Sequence, residues 1–258
     1  MKIGALYVYP VKSGRGMAVD RWPLDARGLA HDREYMVVDP EGTFLTQREA
    51  PRLALIEPSF EDGRLRVSTP GGTAITAPAG TREVTVWEHT GPAVDCGDEV
   101  ADLLSTLLDR PCRLVTTAAE HRRPTEDGCA EIAFADGYPL LLISDSSLTE
   151  LNRRLPEALP MDRFRPNVVI EHAEPFAEDA WATVDLGDVR VDVLKPCARC
   201  AITRVDQATG IRGDGEPLRT LGTFRKAKGG VMFGQNAAHR TTGELAVGDA
   251  VTVRMARV

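Results

Sequence analysis

Short apolar runs broken by turn-forming residues dominate the chain up to Arg110, the pattern of a small barrel or sandwich. Residues 36–38 and 43–46 flank Asp39-Pro40-Glu41-Gly42, and Phe60 with residues 65–67 flanks Glu61-Asp62-Gly63, which predicts two hairpins. Positions 83–87 form a further strand, followed by a loop into Asp98. Val100, Leu103, Leu104, Leu107 and Leu108 then recur at helical spacing, with Asp98 in the first turn and Pro111 just past the end. This helix closes a first unit.

A second helix is predicted over 147–155. Ser147 and Glu150 can form a capping box, Leu148, Leu151 and Leu155 share a face, and Pro156 stops it. Strand character returns at 168–171, in the alternation of 189–193, and at Val251, Val253 and Met255. A short helix is expected from Pro217, whose fixed backbone suits a helix start, to Phe224. The polar stretch 120–128 reads as a linker or mobile loop. The sum is an α+β chain, predominantly β, without internal repeats.

The 258 residues suit either one large domain or two modest ones packed together, and two are expected. Thirty-eight acidic against 31 basic residues, a net charge of -7 and a pI near 5.4 argue against a nucleic-acid partner and against adhesion to an anionic membrane. The opening apolar run Ile3 to Val8 is too short to span a bilayer and lacks a signal-peptide layout, so a cytoplasmic protein is expected. The five cysteines, an odd number in a long chain, are expected to be reduced thiols.

The sharpest local feature is Lys195-Pro196-Cys197-Ala198-Arg199-Cys200, placed after one alternating strand and before a second alternating run through Ile202, Arg204 and Asp206. Neighbouring cations favour thiolate, the form that binds soft metals. On spacing alone, a pair of partly buried structural thiols is equally open. A closed zinc site would need two more ligands, and the histidines are scattered. A thioredoxin-like pair would open a helix, whereas strand pattern follows here. Other basic clusters supply context: Tyr9-Pro10-Val11-Lys12-Ser13-Gly14-Arg15-Gly16, His31-Asp32-Arg33, Gln47-Arg48 through Arg52, and Met161 through Asn167. Each suits an anion through guanidinium forks and backbone N–H groups, provided that they converge in space. No Walker A loop, dinucleotide-binding turn, zinc-protease helix or serine-hydrolase elbow is present. Trp22, Trp87 and Trp181 read as packing residues, His89 and His121 as surface loop residues, and Cys112 and Cys129 as ordinary thiols. Asp206, in Val205-Asp206-Gln207-Ala208-Thr209-Gly210, reads as a strand end and tight turn.

As an ordered set, Leu6 through Ser13, Asp32-Arg33, Asp95-Cys96-Gly97, Phe164-Arg165-Pro166-Asn167, Cys197-Ala198-Arg199-Cys200 with Val205-Asp206 and Thr209-Gly210, and Phe233-Gly234-Gln235 resemble the MOSC family. The arrangement is that of the amidoxime reducing components and YcbX-type relatives, over nearly the whole chain. The resemblance implies an N-terminal MOSC-associated β-rich domain at 1–115 packed on a MOSC β-barrel at 116–258. It implies a molybdenum cofactor, Mo-molybdopterin, with Cys200 as the metal ligand and Lys12, Ser13, Arg33, Arg165 and Asn167 at its anionic end. Asp136, Arg199 and Asn236 would add further contacts to the cofactor. The segment Phe134-Ala135-Asp136-Gly137-Tyr138 departs from the reductases, keeping the acid but placing alanine and glycine where hydroxyls are frequent.

The implied activity is reduction of N-hydroxylated substrates such as amidoximes and hydroxylamines. YcbX-type enzymes carry a C-terminal iron-sulfur domain that this sequence does not include, so a separate electron-transfer protein of ferredoxin, flavodoxin or cytochrome type is expected. The alternative is a molybdenum cofactor carrier or sulfur-transfer protein, related to the C-terminal part of cofactor sulfurases. Those enzymes also use a pyridoxal phosphate domain, and no pyridoxal phosphate is expected here.

Overall fold

The computed structural model describes residues 1–255. Its largest element is a nine-stranded sheet that runs Val251–Met255, Trp181–Leu186, Val189–Ala198, Gly230–His239, Leu140–Ser144, Val168–Glu171, Lys2–Val8 and Met17–Val19, with Lys226–Ala227 paired to Gly230–His239. Hydrogen bonds from Ile3 N to Asp249 O and from Val251 N to Met1 O bring the first strand beside the last, so the sheet curls into a barrel. Ile3, Leu6, Leu142, Ile170, Val184, Leu186 and Val191 fill it, all buried. Pairing is antiparallel except between Leu140–Ser144 and Val168–Glu171. A parallel pair needs a crossover, and the helix Asp145–Asn152 lies in that connection.

A second sheet orders Tyr35–Val38, Arg113–Thr117, His89–Asp95 and Thr81–Val86, and a meander joins Glu57–Glu61, Arg64–Thr69 and Gly72–Ile75. The helix Asp98–Leu108 buries Val100, Leu104 and Leu107 with Leu53, Leu65, Val67 and Leu114. The two halves of the sequence are interlaced. Lys2–Val8 pairs with Val168–Glu171, and Arg21–Asp25 pairs with Gly243–Ala246. Among the described residues no helix is long and apolar enough to cross a membrane.

Several expectations need correction. The loop expected before Asp98 is the strand His89–Asp95, whose Gly91 and Pro92 hide the alternation. The second helix begins at Asp145, and its cap is Ser144, whose Oγ accepts from Ser147 N at 3.2 Å. Ser147 instead lies inside the helix, where its hydroxyl donates to the buried Glu178 at 2.8 Å. Glu150, expected in the capping box, pairs with Arg154 at 2.7 Å. After Cys200 the chain turns through the 3-10 segment Ala201–Arg204, because Thr203 N and Oγ1 both donate to the Cys200 carbonyl. The stretch 120–128 is anchored, with His121, Arg123 and Thr125 buried.

Ser144 also donates to Glu178 Oε2 at 3.0 Å. Ser144→Ala removes a cap and a partner of a buried carboxylate, so we expect a loss of about 2 kcal/mol. A thermal melt should show the midpoint lowered by roughly 4–8 °C, and an unchanged midpoint would rule out this role for the cap.

Candidate functional site: a cationic cleft with a thiol in its wall

The strand Val189–Ala198 slips register against Gly230–His239 twice, between Val193 and Lys195 and between Pro196 and Ala198. Such bulges re-aim side chains beside a site, and the turn at Cys200 follows at once. Cys197, Arg199 and Cys200 thereby reach a cleft of about 1060 Å³. Lys12, Ser13, Arg33, Asp136, Arg165, Asn167 and Asn236 line the same cleft. All nine site residues expected from the sequence therefore converge.

Four cleft residues hold a left-handed backbone: Ser13 at φ 67°, Arg33 at 50°, Trp87 at 54° and Arg165 at 55°. Left-handed non-glycine residues cost about 1–2 kcal/mol each and concentrate at functional sites.

Behind the wall, the buried Tyr9 carries two of the cleft arginines. The guanidinium of Arg33 lies 4.2 Å from its ring centre and that of Arg165 lies 4.4 Å from it. Asp32 ties these groups together, taking Tyr9 N at 2.9 Å, Asn167 Nδ2 at 3.1 Å and Arg33 at 2.5 Å. Arg165 donates to Gly14 O at 2.5 Å. Burial, with Arg33 beside it, pushes the Arg165 guanidinium down to about 10, still cationic at neutral pH. Asn167 gives its amide to Tyr7 O and Asp32 and accepts from Leu141 N, so it braces the wall. Ser13 is buried, with its Oγ facing Gln47 N at 3.4 Å.

Lys12 is buried and donates to Phe134 O at 2.8 Å and to the Asp136 carboxylate. Burial lowers the lysine pKa. Desolvation acts upward on Asp136, yet Lys12 and then Arg48 hold its carboxyl below the usual range. Lys12 and Asp136 form an ion pair, with the ammonium also bonded to Phe134 O. Arg123 props this loop by donating to Ala133 O and Ala135 O. At the thiol end, Arg48 donates to Cys200 Sγ at 3.3 Å, and Arg199 donates to Cys197 Sγ at 3.0 Å and Phe164 O at 2.6 Å. Asn236 donates to Pro196 O at 3.4 Å.

Seven cationic side chains line the cleft against three carboxylates, on a chain whose net charge is -7. A buried anionic ligand suits that imbalance. Among the described residues the buried Arg199 Nε has no partner, a donor left for a ligand. Among the described residues no cluster of three or more His, Cys, Asp or Glu could hold a metal by itself. Cys200 could therefore hold one only with donors brought by a cofactor, and the cleft fits an anionic, metal-bearing group of that kind.

The model of the MOSC N-terminal beta barrel domain matches residues 1–111, and that of the MOSC domain matches residues 130–252. The Mitochondrial amidoxime-reducing component 1 of Mus musculus is 35% identical over 280 residues, covering 96% of this chain and 81% of the relative. The chain belongs to the MOSC family. The Mitochondrial amidoxime reducing component 2 of Bos taurus is 30% identical, covering 96% of this MOSC chain and 82% of its own length. The Molybdenum cofactor sulfurase of Danio rerio is 34% identical over 92% of this MOSC chain, which spans only 32% of that protein.

Sequence reasoning about this MOSC protein missed several wall residues. Arg48 is one of two arginines in a basic cluster, with no pattern that separates it from the other. Arg123 falls in a polar stretch whose pattern reads as a loop. Trp87 is 44% exposed and lines the cleft instead of packing in the core. His121 is buried against Phe134, and His89 sits on a strand with its ring 5.7 Å from that of His121. Asp206 does close a turn, its Oδ1 accepting from Ala208 N and Thr209 N.

Proposed function

We propose that this protein is a molybdenum-cofactor-dependent oxidoreductase that reduces N-hydroxylated compounds, amidoximes and hydroxylamines among them. The observation that carries the reading is the Cys200 sulfur in the wall of a cation-lined cleft, in a chain that spans 81% of an amidoxime-reducing relative. Lys12, Ser13, Arg33 and Arg165 would hold the anionic end of molybdopterin, with Asn167 bracing them and Asp136, Arg199 and Asn236 contacting the remainder. Cys200 would ligate the metal as thiolate.

When bound, the cofactor supplies the two electrons that break the N–O bond. The chain's part is to fix and shield. The Arg48 N–H on Cys200 Sγ stabilises negative charge on that sulfur. The Lys12–Asp136 pair and the Arg33–Asp32 pair hold their cations in place before any ligand arrives, so little reorganisation is needed on binding. Reduction of one N–OH group takes two electrons and two protons and releases water. A separate ferredoxin, flavodoxin or cytochrome type protein would deliver the electrons.

We also propose units at 1–115 and 116–258, supported by the family matches at 1–111 and 130–252, with Lys2–Val8 and Arg21–Asp25 of the first completing sheets of the second, and a cytoplasmic location, supported by five free thiols. A carrier or sulfur-transfer role remains the rival reading, supported by the sulfurase similarity. Protein from a host that makes molybdopterin, loaded to full molybdenum occupancy and given a chemical electron donor, separates the two. Conversion of benzamidoxime to benzamidine is expected, and full occupancy without conversion would favour the carrier.

A further inference from the structure

We propose that Trp87 sets substrate preference by offering a stacking platform to N-hydroxylated groups conjugated to a planar aromatic ring, a proposal that rests on the reductase reading above. Val86 pairs with His89, so Trp87 and Glu88 are the two-residue connection between Thr81–Val86 and His89–Asp95. Such connections favour glycine, asparagine or aspartate where φ is positive, yet Trp87 stands there at φ 54°. A strained bulky residue persists only when its surroundings hold it.

Those surroundings are visible. The Trp87 indole donates to Asp136 Oδ1 at 3.3 Å, the Phe44 ring packs at 4.9 Å with a 54° tilt, and the Arg48 guanidinium lies 5.0 Å from the indole centre. The ring is thus held, and Trp87 is 44% exposed and lines the cleft. The other two tryptophans offer nothing similar, since neither Trp22 nor Trp181 lines the cleft.

Position completes the case. The same Arg48 that lies over Trp87 donates to Cys200 Sγ at 3.3 Å, so one guanidinium separates the indole from the sulfur. An aromatic ring stacked on the exposed indole would place an attached N–OH group toward that end of the cleft. A rigid ring loses little freedom when it binds, so stacking is not offset by ordering. Aromatic pairing of this strength corresponds to roughly three- to tenfold in binding. An aliphatic amidoxime has no ring to gain it.

The test compares benzamidoxime with acetamidoxime in cofactor-loaded wild type, Trp87→Gly and Trp87→Phe. Glycine removes the ring at a position whose backbone it accepts, and phenylalanine keeps a platform. With rates normalised to molybdenum content, because the indole also holds Asp136 and Arg48, Trp87→Gly should raise the ratio of the benzamidoxime KM to the acetamidoxime KM roughly three- to tenfold. Trp87→Phe should restore most of the affinity. Equal changes for both substrates, or no change for either, would overturn the proposal. Benzamidine binding by calorimetry reads the platform without turnover. Weaker benzamidine binding in Trp87→Gly, in an enzyme that reduces no amidoxime, would keep the platform and reject the reductase. Reduction of both substrates with benzamidine binding unaltered in Trp87→Gly would do the reverse.

Discussion

Cys200→Ser should strip molybdenum from protein produced in a molybdopterin-competent host, while Cys197→Ser keeps it. Serine retains the size of the side chain but not a soft anionic donor, and thiolate is the donor that soft metals select. We expect metal retention to fall at least about 100-fold in affinity, read as molybdenum per chain by elemental analysis after gel filtration. The two sulfurs differ in their settings. Cys200 Sγ faces Arg48 from across the cleft, whereas Cys197 Sγ is held by its own neighbour Arg199. Pterin content gives a second reading, because in the proposed site the phosphate end would rest on Lys12, Arg33 and Arg165 and not on sulfur. Cys200→Ser should therefore keep part of its pterin as it loses metal. Equal metal loss in both variants would point to a dithiol site, and retained metal in Cys200→Ser would remove the cysteine from the chemistry.

Periodicity made some elements plain. The helix Asp98–Leu108 follows from five leucine and valine positions at helical spacing, and Val168–Glu171 from an uninterrupted apolar run. Where a distant partner decides, local pattern misleads. The second helix starts at Asp145 because Ser144 and Ser147 are both engaged by Glu178, more than thirty residues away, a fact no local window contains. His89–Asp95 is a strand through Gly91 and Pro92 because both neighbouring strands pair with it. For the cleft, Lys12, Arg33, Arg165 and Cys200 were marked by residue type, but their convergence depends on the first strand pairing with Val168–Glu171. Arg123 and Trp87 had no signal of that sort. One is a cation among polar residues, placed by carbonyls at Ala133 and Ala135, and the other owes its exposure to a left-handed turn.

The largest stability loss is expected at Asp95, far from the chemistry. Its carboxylate is only 3% exposed and takes hydrogen bonds from Arg113 Nε and NH2 at 2.6 Å, from Gly97 N at 2.9 Å and from Arg82. Removing one partner of a buried ion pair leaves the other uncompensated, so Asp95→Ala should cost about 3–5 kcal/mol in urea unfolding. Asp98 offers a control on the same Arg113, since its side chain is 85% exposed and water replaces what is lost. Asp98→Ala should leave the unfolding midpoint nearly unchanged. Burial acts to raise the Asp95 pKa, but the bonds from Arg113, Gly97 N–H and Arg82 more than offset it and hold the group below the ordinary carboxylate range. A depressed folded-state pKa contributes stability that is present above the unfolded value, near 3.9, and is lost as pH falls through the folded one. Wild type should therefore lose stability on acidification below about pH 4, and Asp95→Asn should lose less over that interval because its side chain cannot take up a proton there. Parallel acid profiles for the two proteins would show that the Asp95 charge contributes nothing, and would leave hydrogen-bond geometry alone as the reason for burying it.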